Sequence, residues 1–411
     1  MRLGILTFHS QLNYGGVLQC WALQQALTRL LSEELRVKSE ECEVMVVDRW
    51  LSPDNRMLDG PFGHAGFKGW CVIALKSLLG CGTWKQVLRH WRTRWFVKSL
   101  NLTPYHFCNW SDLTSQPQPF NLNLDMLVVG SDQVWHCGDW GNPRPYLLEG
   151  APGINAISYA ASFGMAAIPT DQIELYKRGL GRFAALSCRE KEGAEICRGL
   201  GYEATHVVDP TLLIDPSEWH KFAGNRTIRT IEQSNNHKLV CYFMSVDMAA
   251  ELSLLENFAE KKNCTVELLA NESFLRPIPK SFRQLLSNFR YTRIKICRGY
   301  GPKEFVRAFS SASWVLTDSF HAVMFSSIFN CNARFLRPAN AMRRGMFARV
   351  EEFAKGCITG GFFVDDVEDA LRSLEQGETI TFDANRIAVM RAESMKWLEN
   401  AIIYSLPNFH A

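Results

Sequence analysis

The sequence predicts an α/β protein built from two doubly wound parallel sheets that face each other across a cleft, and three observations carry that prediction. Short apolar runs recur along the chain, each followed by a segment of helical spacing, which is the pattern of parallel strands joined by crossover helices. The alternation lapses after Val208 and restarts at Lys238. A length of 411 residues, at roughly 100 to 200 per domain, accommodates two domains or about three.

In the first unit the strand-like runs are 3–8, 43–48, 124–130, 154–160, 184–189 and 205–208. Between the second and third runs, residues 60–111 form a basic, aromatic helical insertion. Residues 209–216 then bring two prolines and several polar turn formers directly after a strand, and the charged stretch 218–238 shows no clear strand. The domain boundary is placed there, giving units 1–215 and 216–345. The second unit repeats the alternation at 238–244, 266–269, 293–297, 314–317 and 333–336. The remaining segment, 346–411, is read as helical and packing back across both units, and its stretch 385–405 carries Ile387, Met390, Met395, Trp397, Leu398 and Ile402 on about one helical face.

Composition excludes several classes. The 45 basic residues against 42 acidic ones leave a net charge of +3, too balanced for a protein that coats nucleic acid, so no nucleic-acid partner is expected. The 13 cysteines are odd in number, scattered from Cys20 to Cys357, and never in CxxC or Cys/His ligand spacing. They read as reduced thiols, with no metal site. The N-terminus reads as a first strand and lacks the basic and apolar regions of a signal peptide. The best apolar run, 72–79, is broken by Lys76 and falls far short of the roughly 18 residues a membrane span needs. A cytoplasmic protein without a transmembrane anchor is expected.

Six segments carry candidate chemistry. After the first strand, His9-Ser10-Gln11-Leu12-Asn13-Tyr14-Gly15-Gly16 puts a turn former and two glycines at a helix start, whose free N–H groups suit an anion or a sugar hydroxyl; a tight strand-to-helix turn reads equally from these residues. Neither a dinucleotide fingerprint nor a P-loop is present. Gly130-Ser131-Asp132-Gln133 follows a buried strand, so Asp132 and Gln133 either project into the cleft or, for the Asp, cap a helix. The small residues at 158–164 permit close backbone approach to a ligand or to a neighbouring strand. Arg189 ends an apolar strand, paired with Glu190 or aimed at an anion. At 314–327 a β-rich run ends in Thr317-Asp318-Ser319, and the next helix carries His321 in its first turn, where the positive helix end disfavours the imidazolium. His321 is thus a candidate base or hydrogen-bond partner, the alternative being a capping Asp or Ser beside a packed His. Downstream, Arg334, Arg337, Arg343, Arg344 and Arg349 fall within 16 residues, and one or two of them are expected to touch a phosphate or carboxylate.

Together these stretches resemble the polysaccharide pyruvyl transferase family. The resemblance rests on GILTFHSQLNYGGVLQCWALQ at 4–24, LVVGSDQVW at 127–135, ISYAASFG at 157–164, LSCREKEGAEI at 186–196, VVDPTLL at 207–213 and GPKEFVRAFSSASWVLTDSFHAVMFSSIF at 301–329. It implies a fold similar to GT-B glycosyltransferases, with two Rossmann-like domains, the acceptor side in the first and the donor side in the second. It also implies transfer of the pyruvyl group of phosphoenolpyruvate onto two hydroxyls of a sugar in a cell-surface polysaccharide or lipid-linked oligosaccharide. The product is a cyclic ketal, phosphate is released, and no metal or redox cofactor is required.

Carried over by position, His321 and Arg189 match the family's histidine and strand-end arginine, and their side-chain tips are expected at one interdomain cleft within roughly 12 Å of each other. Asp132 and Asp318 join His321 as catalytic candidates. Many relatives have an arginine two residues before the histidine, where this chain has Ser319, so Arg337 or Arg349 is expected to complete the donor site. Ala322 stands where the family usually has glycine. Asn13, Tyr14, Gly15, Gly16 and Gln133 are the acceptor-side candidates. The rival readings are a GT-B glycosyltransferase using a nucleotide sugar and a non-catalytic glycan-binding relative.

One feature of charge stands apart from these motifs. Residues 60–111 contain no Asp or Glu, while Lys68, Lys76, Lys85, Arg89, Arg92, Arg94 and Lys98 lie among Phe62, Phe67, Trp70, Trp84, Trp91, Trp95 and Phe96. Such a segment either rests on the anionic inner face of a membrane as a peripheral contact, or packs its aromatics on the first sheet while the basic residues solvate the outer face.

Overall fold

The computed structural model describes residues 1–9, 12–34, 42–48, 83–104, 124–138, 142–151, 153–224, 237–246, 248–270, 291–338 and 341–406. The first unit contains the parallel sheet β2 (Glu43–Val46), β1 (Arg2–Leu6), β3 (Met126–Val129) and β4 (Ala156–Ser158), in that order. Isolated parallel bridges from Ile157 to Ala185 and from Ala161 to Cys188 carry the sheet on to β5 (Ser187–Cys188), which pairs with β6 (Thr205–His206). The helices of this unit are α1 (Tyr14–Arg29), α2 (Thr83–Lys98), α3 (Ile173–Leu180) and α4 (Lys191–Gly199). The inner strands are apolar on both faces because helices cover both, as in β3, where all four residues are buried.

Two short helices, α5 (Pro210–Leu213) and α6 (Pro216–Ala223), connect the units. Each begins with Asp-Pro: Asp209 and Asp215 accept hydrogen bonds from the N–H of Thr211 and Ser217, and the proline occupies the first helical position. The second unit holds β7 (Lys238–Tyr242), α7 (Met248–Lys261), β8 (Thr265–Leu269), β9 (Ile294–Cys297), α8 (Pro302–Phe309), β10 (Trp314–Thr317), α9 (Phe320–Ile328), β11 (Asn332–Leu336), α10 (Ala341–Cys357), β12 (Ile358–Thr359), β13 (Phe363–Val364), α11 (Val367–Glu375) and β14 (Thr381–Phe382). Its main sheet is parallel with the order β13-β11-β10-β7-β8-β9. β13 comes from within the segment read from sequence as helical; two residues are too few to show a period.

The last helix, α12 (Ala384–Ser405), returns to the first unit. Its Ser394 hydroxyl oxygen accepts the Val208 N–H at 3.0 Å, Arg391 Nε donates to the Leu212 carbonyl at 2.6 Å, and Trp397 lies 6.3 Å from the Tyr159 ring. One apolar core runs through both units, from Leu3 and Ile5 through Tyr14 and Phe305 to Leu398 and Ile402. At the junction Tyr14 stacks on Phe305 with ring centroids 4.5 Å apart, and Trp21, Trp219 and Phe325 continue the contact. Each such ring contributes about 1.5–3 kcal/mol by burial. Among the described residues, no helix is long and apolar enough to cross a membrane. Residues 60–82 and 105–111 of the basic segment, and the side chains of Arg343 and Arg344, lie outside what is described.

Candidate functional site

Each sheet has one point where the strand order reverses, between β1 and β3 in the first and between β7 and β10 in the second. Ligands of open α/β sheets bind beyond the carboxyl ends at such points. The loops leaving these ends carry Gly15 and Gly16 after β1, Asp132 after β3, and Asp318, Ser319 and His321 after β10. The two edges converge on a carboxylate from a third place, Asp209, which leaves β6 to cap α5.

Asp209 is 2% exposed and uses its two oxygens differently. Oδ1 accepts the Thr211 N–H at 3.0 Å and the Thr211 hydroxyl at 2.7 Å, fixing the side chain. Oδ2 accepts from Arg189 Nη1 at 3.1 Å and lies 3.6 Å from His321 Nε2. Arg189, from the end of β5, and His321, from the first turn of α9, thus meet on one oxygen atom, one residue from each unit. Burial alone would raise the Asp209 carboxyl; His321, Arg189 and the Thr211 N–H outweigh it and hold the group well below the usual carboxylate range.

Arg189 is the hub of the site. Its Nε donates to Glu190 Oε1 at 3.1 Å, and its Nη2, which makes no hydrogen bond, sits 3.6 Å from Asp132 Oδ1. Burial opposes its charge, but Glu190, Asp132 and Asp209 more than compensate and raise its pKa above the ordinary arginine value. Glu190 Oε1 also accepts from Ser162 Oγ at 2.8 Å and lies 3.7 Å from Arg349 Nη1. Arg349 is the second cation, and its Nε and Nη1 are buried without a hydrogen-bond partner. Burial and the neighbouring Arg189 push it down to about 10, against the pull of Glu190, Asp132 and Asp209. The Phe320 ring faces both guanidiniums, 4.6 Å from Arg189 and 5.1 Å from Arg349, so its π-face offsets part of their repulsion.

A cavity of 380 Å³ opens beside these groups, with Arg189, Asp209, Phe320 and Arg349 at one end and Lys191, Arg386 and Trp397 also in its wall. His321 does not line it and reaches it through Asp209. The volume falls in the range of small-molecule sites. Among the described residues, no group of three or more His, Cys, Asp or Glu is placed to hold a metal ion.

The remaining sequence candidates divide by location. Gly15 adjoins His321 so closely that a Cβ there would lie 2.0 Å from the imidazole Nδ1; its missing side chain makes room for a residue of the other unit. Gly16 lies near Asp132, with Oδ2 at 3.3 Å from an added Cβ. Asp132 itself has φ 70°, a left-handed conformation that costs a non-glycine residue and directs its carboxylate toward Arg189. Gln133 is buried against Gly164, with Nε2 unpaired. Ser319 caps the start of α9 without a side-chain hydrogen bond to the helix.

Four candidates have other engagements. Asn13 caps α1, accepting the Gly15 N–H at 3.0 Å. Tyr14 is 1% exposed, stacked on Phe305, and donates its hydroxyl to the Tyr300 carbonyl at 2.8 Å, which makes it an interdomain packing residue. Asp318 accepts the N–H groups of Met244 at 2.6 Å and Ser245 at 2.8 Å together with the Ser245 hydroxyl, so its carboxylate binds the end of β7. Arg337 is 44% exposed, pairs with Asp365 at 3.3 Å and Glu351 at 3.7 Å, and lies over Phe363. Of the two arginines expected to complete the donor site, only Arg349 is near His321 and Arg189. Asp209 is the site residue that sequence reasoning passed over, while Glu190 was read only as the alternative partner of Arg189, a pairing the structure shows at 3.1 Å. The signal for Asp209 was its position directly after a strand in Val207-Val208-Asp209-Pro210, which reads as turn punctuation.

Two facing parallel sheets that offer their carboxyl edges to one charged cleft define the GT-B fold. Consistent with this, the UDP-GlcNAc 2-epimerase of Neisseria meningitidis bound to UDP-GlcNAc superposes with a TM-score of 0.53 at 12% identity, covering 98% of this chain and 100% of that one. S. aureus MnaA in complex with UDP gives 0.52 at 13% identity, covering 100% and 98%. The family model described as polysaccharide pyruvyl transferase matches residues 13–340, and the chain belongs to that family. No curated protein matches the chain.

Proposed function

We propose that this protein transfers the pyruvyl group of phosphoenolpyruvate onto two hydroxyls of a sugar, in a cell-surface polysaccharide or its lipid-linked precursor. The observation that carries this reading is a pair of arginines, Arg189 and Arg349, whose buried N–H groups include unpaired ones, beside a 380 Å³ cavity and next to the His321–Asp209 pair. Phosphoenolpyruvate presents a phosphate and a carboxylate, and planar guanidinium forks suit both. Arg349 supplies the cation that Ser319 does not, and Arg189 adds its free Nη2. An anion between the two guanidiniums would also relieve the repulsion that lowers the Arg349 pKa.

In this scheme the enol end of the donor lies at the Asp209 end of the cavity, where His321 on the far side of that carboxylate delivers a proton to C3. A sugar hydroxyl adds to C2, and its proton passes to a carboxylate, for which Asp132 is the candidate. The bond from C2 to the phosphate oxygen then breaks, and the phosphate leaves with the electron pair against the arginines. A second hydroxyl closes on the oxocarbenium-like carbon. Of the two hydroxyl protons, one ends on the new methyl group and the other on phosphate, so donor and acceptor alone balance the reaction.

The test combines binding and turnover. Phosphoenolpyruvate should raise the unfolding temperature, since a ligand of the native state alone stabilises it. With a suitable glycan, phosphate should be released and a ketal methyl signal should appear by NMR. Stabilisation by UDP but not by phosphoenolpyruvate would instead assign a nucleotide-sugar transferase, and binding of neither would remove the catalytic reading.

A further inference from the structure

Helix α2 has two faces of opposite character. The inner face joins the two units: Arg89, 1% exposed, lies 4.4 Å over the Tyr14 ring and donates to the carbonyls of Leu12 at 2.8 Å and Ala270 at 2.6 Å. Arg92 donates to the Gly299 carbonyl at 2.8 Å and pairs with Glu304 at 3.4 Å. Leu12 follows β1, while Ala270 and Gly299 follow the carboxyl ends of β8 and β9, so α2 runs along the rim of the cleft.

The outer face carries Trp84, Trp91 and Trp95, exposed by 54%, 53% and 68%. At 3.6 residues per turn these three rings fall within an arc of about 40°, opposite Arg89 and Thr93. Lys98 and Arg94 flank the row on one side and Lys85 on the other, and the helix contains no acidic residue. Single exposed apolar residues are ordinary on a protein surface, but three tryptophans in one row are a patch that marks an interaction site. An apolar row with cations along both edges matches the boundary of an anionic bilayer, where headgroup phosphates surround an apolar interior and tryptophan partitions favourably.

We infer that α2 docks this protein onto an anionic lipid surface, with the Trp84, Trp91 and Trp95 rings at the acyl boundary and Lys85 and Lys98 among the headgroups. Docking in this orientation sets the rim of the cleft against the membrane, within reach of a glycan carried on a lipid. The inference goes beyond the proposed reaction and is independent of it, because binding is measured without turnover.

The experiment is co-sedimentation of the full chain with vesicles of phosphatidylcholine alone or mixed with phosphatidylglycerol, together with tryptophan fluorescence. Binding to the mixed vesicles, with a blue shift, is expected. Each headgroup-level cation is worth about fivefold in partitioning, so Lys85→Gln with Lys98→Gln should weaken binding about tenfold or more. The triple variant Trp84→Ala, Trp91→Ala, Trp95→Ala should abolish binding and the blue shift. These side chains are exposed, so unchanged unfolding temperatures are expected for both variants. Absence of binding to anionic vesicles overturns the inference, as does binding that both variants leave intact. Concentration-dependent self-association or RNA binding through the same tryptophans, without vesicle binding, overturns it as well.

Discussion

Replacing Gly15 by alanine tests the active-site geometry from a residue that has no side chain of its own. The new methyl carbon would lie 2.0 Å from Nδ1, 2.3 Å from Cγ and 2.5 Å from Cε1 of His321. Non-bonded carbons settle at about 3.5 Å or more, so the imidazole has to retreat by roughly 1.5 Å. It is held edge-on to Phe320, with ring centroids 5.4 Å apart, and cannot retreat while keeping its 3.6 Å approach to Asp209. A misplacement of about 1 Å in a reacting group costs about 100-fold, the same scale as removing a proton-transfer residue outright. Gly15→Ala and His321→Ala should therefore lower turnover comparably, and the double variant should be no worse than His321→Ala alone, since both act on one interaction. Stability should move much less: overpacking costs about 1–3 kcal/mol, offset by about 1 kcal/mol for replacing glycine by alanine in a helix. Gly16→Ala is the internal control, because its methyl would meet Asp132 Oδ2 at 3.3 Å and the Phe8 carbonyl at 3.7 Å, which a shift of a few tenths of an ångström relieves. The measurements are phosphate release at saturating donor and urea unfolding of each variant. A Gly15→Ala protein that turns over at the wild-type rate would refute the placement of His321 at the reaction.

Two further outcomes follow from the charges. Arg349→Ala removes two unpaired charge-assisted donors and should weaken phosphoenolpyruvate binding, read by calorimetry, by about 10- to 100-fold. Arg337→Ala, an exposed residue paired with Asp365 and Glu351, should change the same constant by less than about twofold; the reverse ranking would move the anion clamp to Arg337. The depressed folded-state pKa of Asp209 means that its contribution to stability is present above the unfolded value of about 3.9 and is lost as pH falls below it. Asp209→Asn should cost about 1–3 kcal/mol at neutral pH by removing one of the three carboxylates around buried Arg189, Glu190 and Asp132 remaining, and the variant should lose less stability than wild type between neutral pH and acid. Parallel unfolding curves for the two proteins across that range would contradict the assignment.

Most strands of both sheets could be anticipated because each buried strand is a run of apolar residues followed by a helical period, as in Leu127-Val128-Val129 before Gly130, whereas their order in the sheets was read only from the structure. What could not be read were features without a period, such as the two-residue strand Phe363–Val364. In the site, Arg189 and His321 were legible from their positions at strand ends. The difference between Arg337 and Arg349 was not, because both stand in one arginine-rich run and only burial and partners separate them. Gly15 read as a helix-start glycine, whereas the constraint on it comes from a residue more than 300 positions away. Tyr14 carries a hydroxyl that looks suited to sugar, yet the adjoining Phe305 and the Tyr300 carbonyl use both its ring and its oxygen.

The return of α12 has a kinematic consequence. The chain passes from the first unit to the second through α5 and α6, and comes back within α12, where Met390 touches Cys357 of α10 with sulfur atoms 3.5 Å apart and Trp397, two turns later, lies against Tyr159, the residue after β4. Two rigid bodies joined by two short tethers retain one free rotation, about the line through both tethers, and lose the twisting and sliding that a single linker allows. That line runs beside Val208 and Leu212, close to Asp209. An opening about that line would displace the far ends of the sheets most and the Arg189–Asp209–His321 contact least, and would have to release the Arg89 bridge between the Leu12 and Ala270 carbonyls. Large ligands could be admitted at the rim while the charges at the axis keep their registration.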